Sequence, residues 1–90
     1  MREILHFPDR LDNADVLEFS NLGNWETIKG DDRIVRYFAI CQYPGDSKYY
    51  LFFCAGQEYD FDVIIDDLEG SIEICKERVS QYGDVIWYKK

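Results

Sequence analysis

The chain has 90 residues, 47% of them hydrophobic and 17% aromatic, with 18 acidic against 10 basic side chains and a formal net charge of −8. This composition describes one small domain, 1–90, with enough apolar material for a compact core. The negative balance argues against a surface for nucleic acid or anionic membrane, since both need Lys or Arg to neutralise phosphate. No apolar run approaches the roughly 18–20 residues that cross a bilayer.

In chain order, Met1 to Phe7 reads as a short strand that Pro8-Asp9 breaks. Met1 to Arg10 lacks a signal-peptide pattern, so a cytoplasmic location is the expectation. Asp9 suits the N-cap of a short helix from Arg10 to about Phe19, with Leu11, Ala14 and Leu17 three apart on one side. Asp12, Asn13 and Asp15 are poor helix formers, however, and the same residues would serve a loop. Asn21-Leu22-Gly23-Asn24 ends this segment. Trp25 to Lys29 then reads as a strand, which Gly30-Asp31-Asp32 turns back against the run beginning at Arg33.

The stretch from Ile34 to Ile65 holds nearly all the β-forming and aromatic residues, in three runs. The first, Ile34 to Tyr43, sets Val35, Tyr37, Ala39, Cys41 and Tyr43 on one face and Ile34, Phe38 and Ile40 on the other. Two apolar faces suit a central strand covered on both sides. Pro44-Gly45-Asp46-Ser47 is a turn, because Pro presets φ, Gly tolerates positive φ, and Asp and Ser bond back to nearby amides. The second run, Tyr49 to Ala55, carries no charge on either face, and Gly56-Gln57 is expected to reverse the chain. In the third, Tyr59, Phe61, Val63 and Ile65 alternate with Glu58, Asp60 and Asp62, and Ile64 alone breaks the acidic set. Such alternation gives one face to the core and one to water or a partner.

Asp66 to Gly70 reads as a loop, and Ser71 as the cap of a helix from Ile72 to about Tyr82. Ile72, Cys75, Val79 and Tyr82 recur at three- and four-residue intervals, Glu73 sits in the electropositive first turn, and Gly83 suits the C′ position. Asp84 to Tyr88 is a final strand. The expected class is therefore α+β: a mainly antiparallel sheet of four to five strands with one C-terminal helix packed on it, in the order β-β-β-α-β, with a short helix admissible in front. Trp25 and Trp87 lie in β-like runs with apolar neighbours and are assigned to the core. Cys41, Cys54 and Cys75 are odd in number, widely spaced and apolar in context, which points to reduced, buried thiols, with a disulfide between two of them as the alternative.

The residues offer little for catalysis. His6 is the single histidine, and the chain holds no G-x-S-x-G, P-loop, G-x-G-x-x-G, C-x-x-C or H-E-x-x-H pattern. No cofactor is expected. The carboxylates Glu58, Asp60, Asp62, Asp66 and Asp67 are of the kind that hold Mg²⁺ or Ca²⁺, but same-face acids on a strand lie about 6–7 Å apart, wide for one ion without further ligands.

Charge is more informative than any motif. Residues 49–75 hold seven acids and no Lys or Arg, whereas 76–90 hold two acids and four bases. The block Glu58, Asp60, Asp62, Asp66, Asp67, Glu69 and Glu73 therefore carries most of the net charge. It either keeps an aromatic-rich sheet soluble and its edges apart, or it is a docking face that steers a basic protein onto the molecule. The seven tyrosines favour the docking reading, with some of them as exposed anchors, because each buried hydroxyl needs a partner. An exposed edge strand would equally support a homodimer.

Tyr49-Tyr50-Leu51-Phe52-Phe53-Cys54, Ser71-Ile72-Glu73, Cys75-Lys76-Glu77, Tyr82-Gly83 and Val85-Ile86-Trp87 together resemble the small acidic immunity proteins that protect bacteria from the toxins of competing strains. The resemblance spans roughly residues 34–88. It implies a cytosolic, non-enzymatic inhibitor that binds one cognate toxin, often a basic nuclease. Partner-binding residues are assigned from the charge block as Glu58, Asp60, Asp62, Asp66, Asp67 and Glu69. The same block admits a phage-type nucleic-acid mimic that occupies a host nuclease or defence complex, or a small metal-assisted hydrolase.

Overall fold

The structure is a computed structural model that describes residues 7–27, 34–57 and 60–90, with the backbone alone over 26–27, 56–57 and 60–69. The fold is α+β, an antiparallel sheet that carries one short helix. The expected strand over Met1 to Phe7 falls mostly outside the described residues, and Phe7 itself has no regular structure.

No helix follows Asp9. Arg10–Leu11 (β1) and Ala14–Ser20 (β2) form a tight hairpin, with Arg10 opposite Asp15 and Leu11 opposite Ala14. Asp12 and Asn13 occupy the two-residue loop at φ 48° and 70°, the left-handed conformation that matches the twist of the flanking strands and that Asp and Asn tolerate. The helix-like spacing has another origin: Leu11 and Ala14 are three apart because they face each other across this turn, and Leu17 falls three further on as the extra residue of a β-bulge. Val16 faces Cys41 but Glu18 faces Ile40, so Leu17 is the extra residue, and Val16 and Phe19 enter the same core although three apart.

Glu26–Thr27 (β3) and Ile34–Val35 (β4) pair antiparallel as the sequence leads one to expect, while the turn at Gly30-Asp31-Asp32 lies outside the described residues. The Trp25 N–H donates to Val35 O and the Gly23 N–H to Arg36 O, which extends this ribbon. Gly23 is required there, because a Cβ would lie 2.6 Å from the Trp25 indole.

Tyr37–Gln42 (β5) and Tyr49–Gln57 (β6) are the central pair, in register from Tyr37 opposite Cys54 to Cys41 opposite Tyr50. Their turn places Gly45 at φ 82° and closes with the Asp46 N–H on Tyr43 O, a type II arrangement. Asp46 then accepts from the Lys48 amide and the Tyr50 hydroxyl, which hold its carboxyl below the ordinary aspartate value.

β6 does not reverse at Gly56-Gln57, and Asp66 to Gly70 is not a loop. Asp60–Gly70 (β7) pairs with β6 throughout, from Gln57 opposite Asp60 to Tyr49 opposite Gly70. Two register shifts break the alternation that the sequence displays: Leu51 faces Leu68 while Phe52 faces Asp66, and Phe53 faces Ile65 while Cys54 faces Val63. Asp67 and Ile64 are the unopposed residues.

Ser71 caps Ile72–Val79 (α1), its Oγ accepting from the Ile74 N–H at 3.1 Å, and the helix tightens into a 3₁₀ turn over Ser80–Tyr82. Trp87–Lys89 (β8) then pairs antiparallel with β2. The sheet order is β1-β2-β5-β6-β7, with β8 also on β2.

Alternation along β5 and β6 makes two cores. Phe38, Ile40, Leu51 and Phe53 lie under Cys75 and Val79 of the helix, with Val35 from β4. Tyr37, Ala39, Cys41, Phe52 and Cys54 form the other layer with Leu11, Ala14, Val16, Phe19 and Phe7. Val35 departs from its expected place beside Tyr37, because Arg36 interrupts the strand between them. Trp25 and Trp87 pack half-buried on the helix-side core.

All three cysteines are free and buried. Cys54 sits opposite Tyr37 and Cys41 lies four residues further along β5, about 13 Å away at the strand rise and beyond the roughly 7 Å that a disulfide spans. Cys75 belongs to the other core. Burial pushes the Cys41 thiol up to about 12 and raises Cys54 and Cys75 as well. The folded protein is therefore expected to leave a chromogenic thiol reagent unreacted at neutral pH and to titrate all three thiols once denaturant is added. Fast labelling of the native chain would contradict this burial.

Candidate functional site: the acidic end strand

The feature that assembles charge is β7. It closes the sheet order after β6, and among the described residues no strand pairs with its other side. Asp60, Asp62, Asp66, Asp67 and Glu69 all lie within its 11 residues, so at about 3.3 Å per residue the acidic stretch runs for nearly 30 Å. That length is several Debye lengths at physiological salt. Glu73, exposed in the first turn of α1, follows it in sequence. Glu58 lies outside the described residues, as does His6.

Register divides the acids. Asp60 and Asp62 stand opposite Gln57 and Ala55, in the row of β6 that contains Phe53 and Leu51. Asp66 and Glu69 stand opposite Phe52 and Tyr50, the alternate row, and Asp67 occupies a bulge. Asp60 and Asp62 thus share a row as their alternation implies, while Asp66 and Glu69, expected in a loop, fall on the alternate row. Apolar residues divide in the same way, with Val63 opposite Cys54 and Ile65 opposite Phe53. Among the described residues no group of His, Cys, Asp or Glu is placed to hold a metal ion.

Among the described residues no tyrosine is fully exposed. Tyr37 is buried, and Tyr43, Tyr49, Tyr50, Tyr82 and Tyr88 are half-buried against the two cores; Tyr59 lies outside the described residues. The Tyr50 hydroxyl is satisfied by Asp46, and Tyr43 meets Tyr50 edge-on at 5.2 Å. Half-burial lets a hydroxyl reach a polar group at the margin while the ring fills the core, which removes the argument from tyrosine number.

Sequence reasoning passed over Glu18. It lies on β2 with only 6% of its surface exposed, and its Oε1 is 2.8 Å from Lys76 Nζ on α1. Lys76 also lies over the Trp87 ring, 5.8 Å from its centroid, so one lysine ties the helix to β2 and β8. The available signal was a lone acid in the apolar run Val16-Leu17-Glu18-Phe19. Among the described residues no helix is long and apolar enough to cross a membrane. No family model, no curated protein and no solved structure matches the chain.

Proposed function

We propose that the protein is a non-enzymatic, immunity-type inhibitor that binds a basic partner protein, a toxin or nuclease of the bacterial cytoplasm, along β7. The observation that carries this reading is the concentration of Asp60, Asp62, Asp66, Asp67 and Glu69 on the end strand of the sheet, within a stretch of sequence, 49–75, that contains no base. A stripe of one sign raises the encounter rate with a cationic surface and repels nucleic acid and anionic lipid. The outer main-chain groups of an end strand add a second element, since an extended segment of the partner can pair with them while its Lys and Arg meet the carboxylates. Inhibition then follows from occupancy: a toxin whose basic substrate groove is filled by this strand cannot bind its anionic substrate.

The reading is tested by parallel affinity capture from the source cell, using the tagged wild-type protein and an Asp60→Lys/Asp62→Lys variant as baits. One basic protein, retained in roughly equal amount by the wild type at low salt and lost by the variant, is the expected result. Equal retention by both baits would remove β7 from the interface.

A further inference from the structure

One lysine fastens together two segments that are remote in sequence. Lys90 Nζ donates to Phe7 O at 2.6 Å and pairs with Asp9 Oδ1 at 2.7 Å, while the Lys90 N–H donates to Leu17 O at 3.0 Å. The segment it grips, residues 7–9, belongs to no strand or helix. Phe7 is nevertheless 3% exposed. Its ring stacks on Phe19 at 4.5 Å with 6° between planes and meets Tyr37 edge-on at 5.6 Å. Phe19 also meets Tyr88, at 5.5 Å, in the strand that leads to Lys90.

The geometry points to a strap: residues 7–9 close over the aromatic surface of Phe19 and Tyr37 while Lys90 holds them, and swing away together, with the rest of the sheet intact, when it lets go. Residues 7–9 belong to no strand, and the Val16 N–H on Asp9 O continues the β1–β2 pairing into them by one bond; short irregular segments of this kind occupy the low end of the range of local opening energies. Its fastening is charged at both ends, and the Asp9 side chain is 87% exposed, so added salt weakens the pair by screening. The covered face is apolar and the fastening ionic, so ionic strength sets how often the aromatic surface is uncovered. The device stands apart from β7 and does not depend on the docking reading.

The reporter is the Val16 amide, whose hydrogen bond to Asp9 O, 2.8 Å, must break when the strap leaves. Hydrogen exchange is followed by NMR in the intact protein, with the amides of Ile40 and Phe53 in the central ladder as references. The wild type is expected to exchange Val16 faster than the references, and to speed up further, relative to them, as salt is added. Lys90→Met should raise the Val16 rate on the order of tenfold, the loss of a charged hydrogen bond, and abolish its salt response. Asp9→Asn, which leaves Lys90 on Phe7 O, should give a smaller rise, again without salt response. An unchanged Val16 rate in Lys90→Met, or a rise shared equally by Ile40 and Phe53, would overturn the strap. If Lys90→Met does not fold, a common increase across all amides in Asp9→Asn would overturn it too.

Discussion

Replacing Lys76 by Met is expected to cost about 3 kcal/mol of folding stability, an unusually large loss for a half-exposed lysine. The reason lies beneath it. Glu18 is buried in β2 with Lys76 Nζ at 2.8 Å, and removing the cation leaves a carboxylate in a low-dielectric site. Breaking a buried pair on one side costs about 3–5 kcal/mol, and the lower end applies because the lysine side chain is 36% exposed and water reaches it. The loss of its ammonium over Trp87 adds a smaller increment. Urea unfolding should show the midpoint falling with little change in slope. Adding Glu18→Leu to Lys76→Met should recover most of the loss, since an apolar pair of similar volume has no charge to desolvate. A single mutant within about 0.5 kcal/mol of wild type would mean that Glu18 is hydrated and the pair incidental.

Phe38→Ala is expected to be more damaging still. Phe38 is fully buried and its ring meets Phe53 at 5.2 Å, Tyr82 at 5.4 Å and Trp25 at 5.6 Å. Those three rings belong to β6, the 3₁₀ turn after the helix, and the segment entering the β3–β4 ribbon, so the cavity would open where three elements meet. Truncating a buried Phe costs about 3–5 kcal/mol, much of the roughly 5–15 kcal/mol that a small domain possesses. The variant should be largely unfolded in modest urea. Ile74→Ala, on an exposed position of the same helix, should stay within about 0.5 kcal/mol of wild type. Equal effects at the two positions would show that the helix-side core is not where the stability resides.

The central sheet and the helix were legible because their signals are local. Two apolar faces marked β5 and β6, the turn chemistry of Pro44-Gly45-Asp46-Ser47 joined them, and Ser71 with its apolar spacing placed α1. The first hairpin was hidden by its own geometry, since Leu11 and Ala14 pair across a two-residue turn and the bulge sets Leu17 three further on, which together imitate a helical period. Asp12 and Asn13, poor in helices and well suited to left-handed turns, were the contrary signal. On β7 the acids after Ile65 resembled a loop, yet the strand continues because the two bulges absorb Ile64 and Asp67. Ile64 marked one of those bulges in the sequence as the residue out of step with its neighbours. Concentration of acids in one block was visible from composition, but their division between two rows of β6 depends on register, which no spacing rule gives. The Glu18–Lys76 pair and the Lys90 strap join positions remote in sequence and follow only from topology.

The central claim, that β7 is a docking strand for a basic protein, is tested most directly by the association rate of the captured partner. It should be measured by stopped flow across ionic strength for the wild type and for Asp60→Lys/Asp62→Lys. The account predicts a wild-type rate that falls steeply with salt, and a variant rate at least tenfold lower at low salt with a flatter dependence, while both proteins unfold at similar urea concentration. Identical rates and identical salt slopes would place the interface elsewhere and leave β7 as a solvated edge.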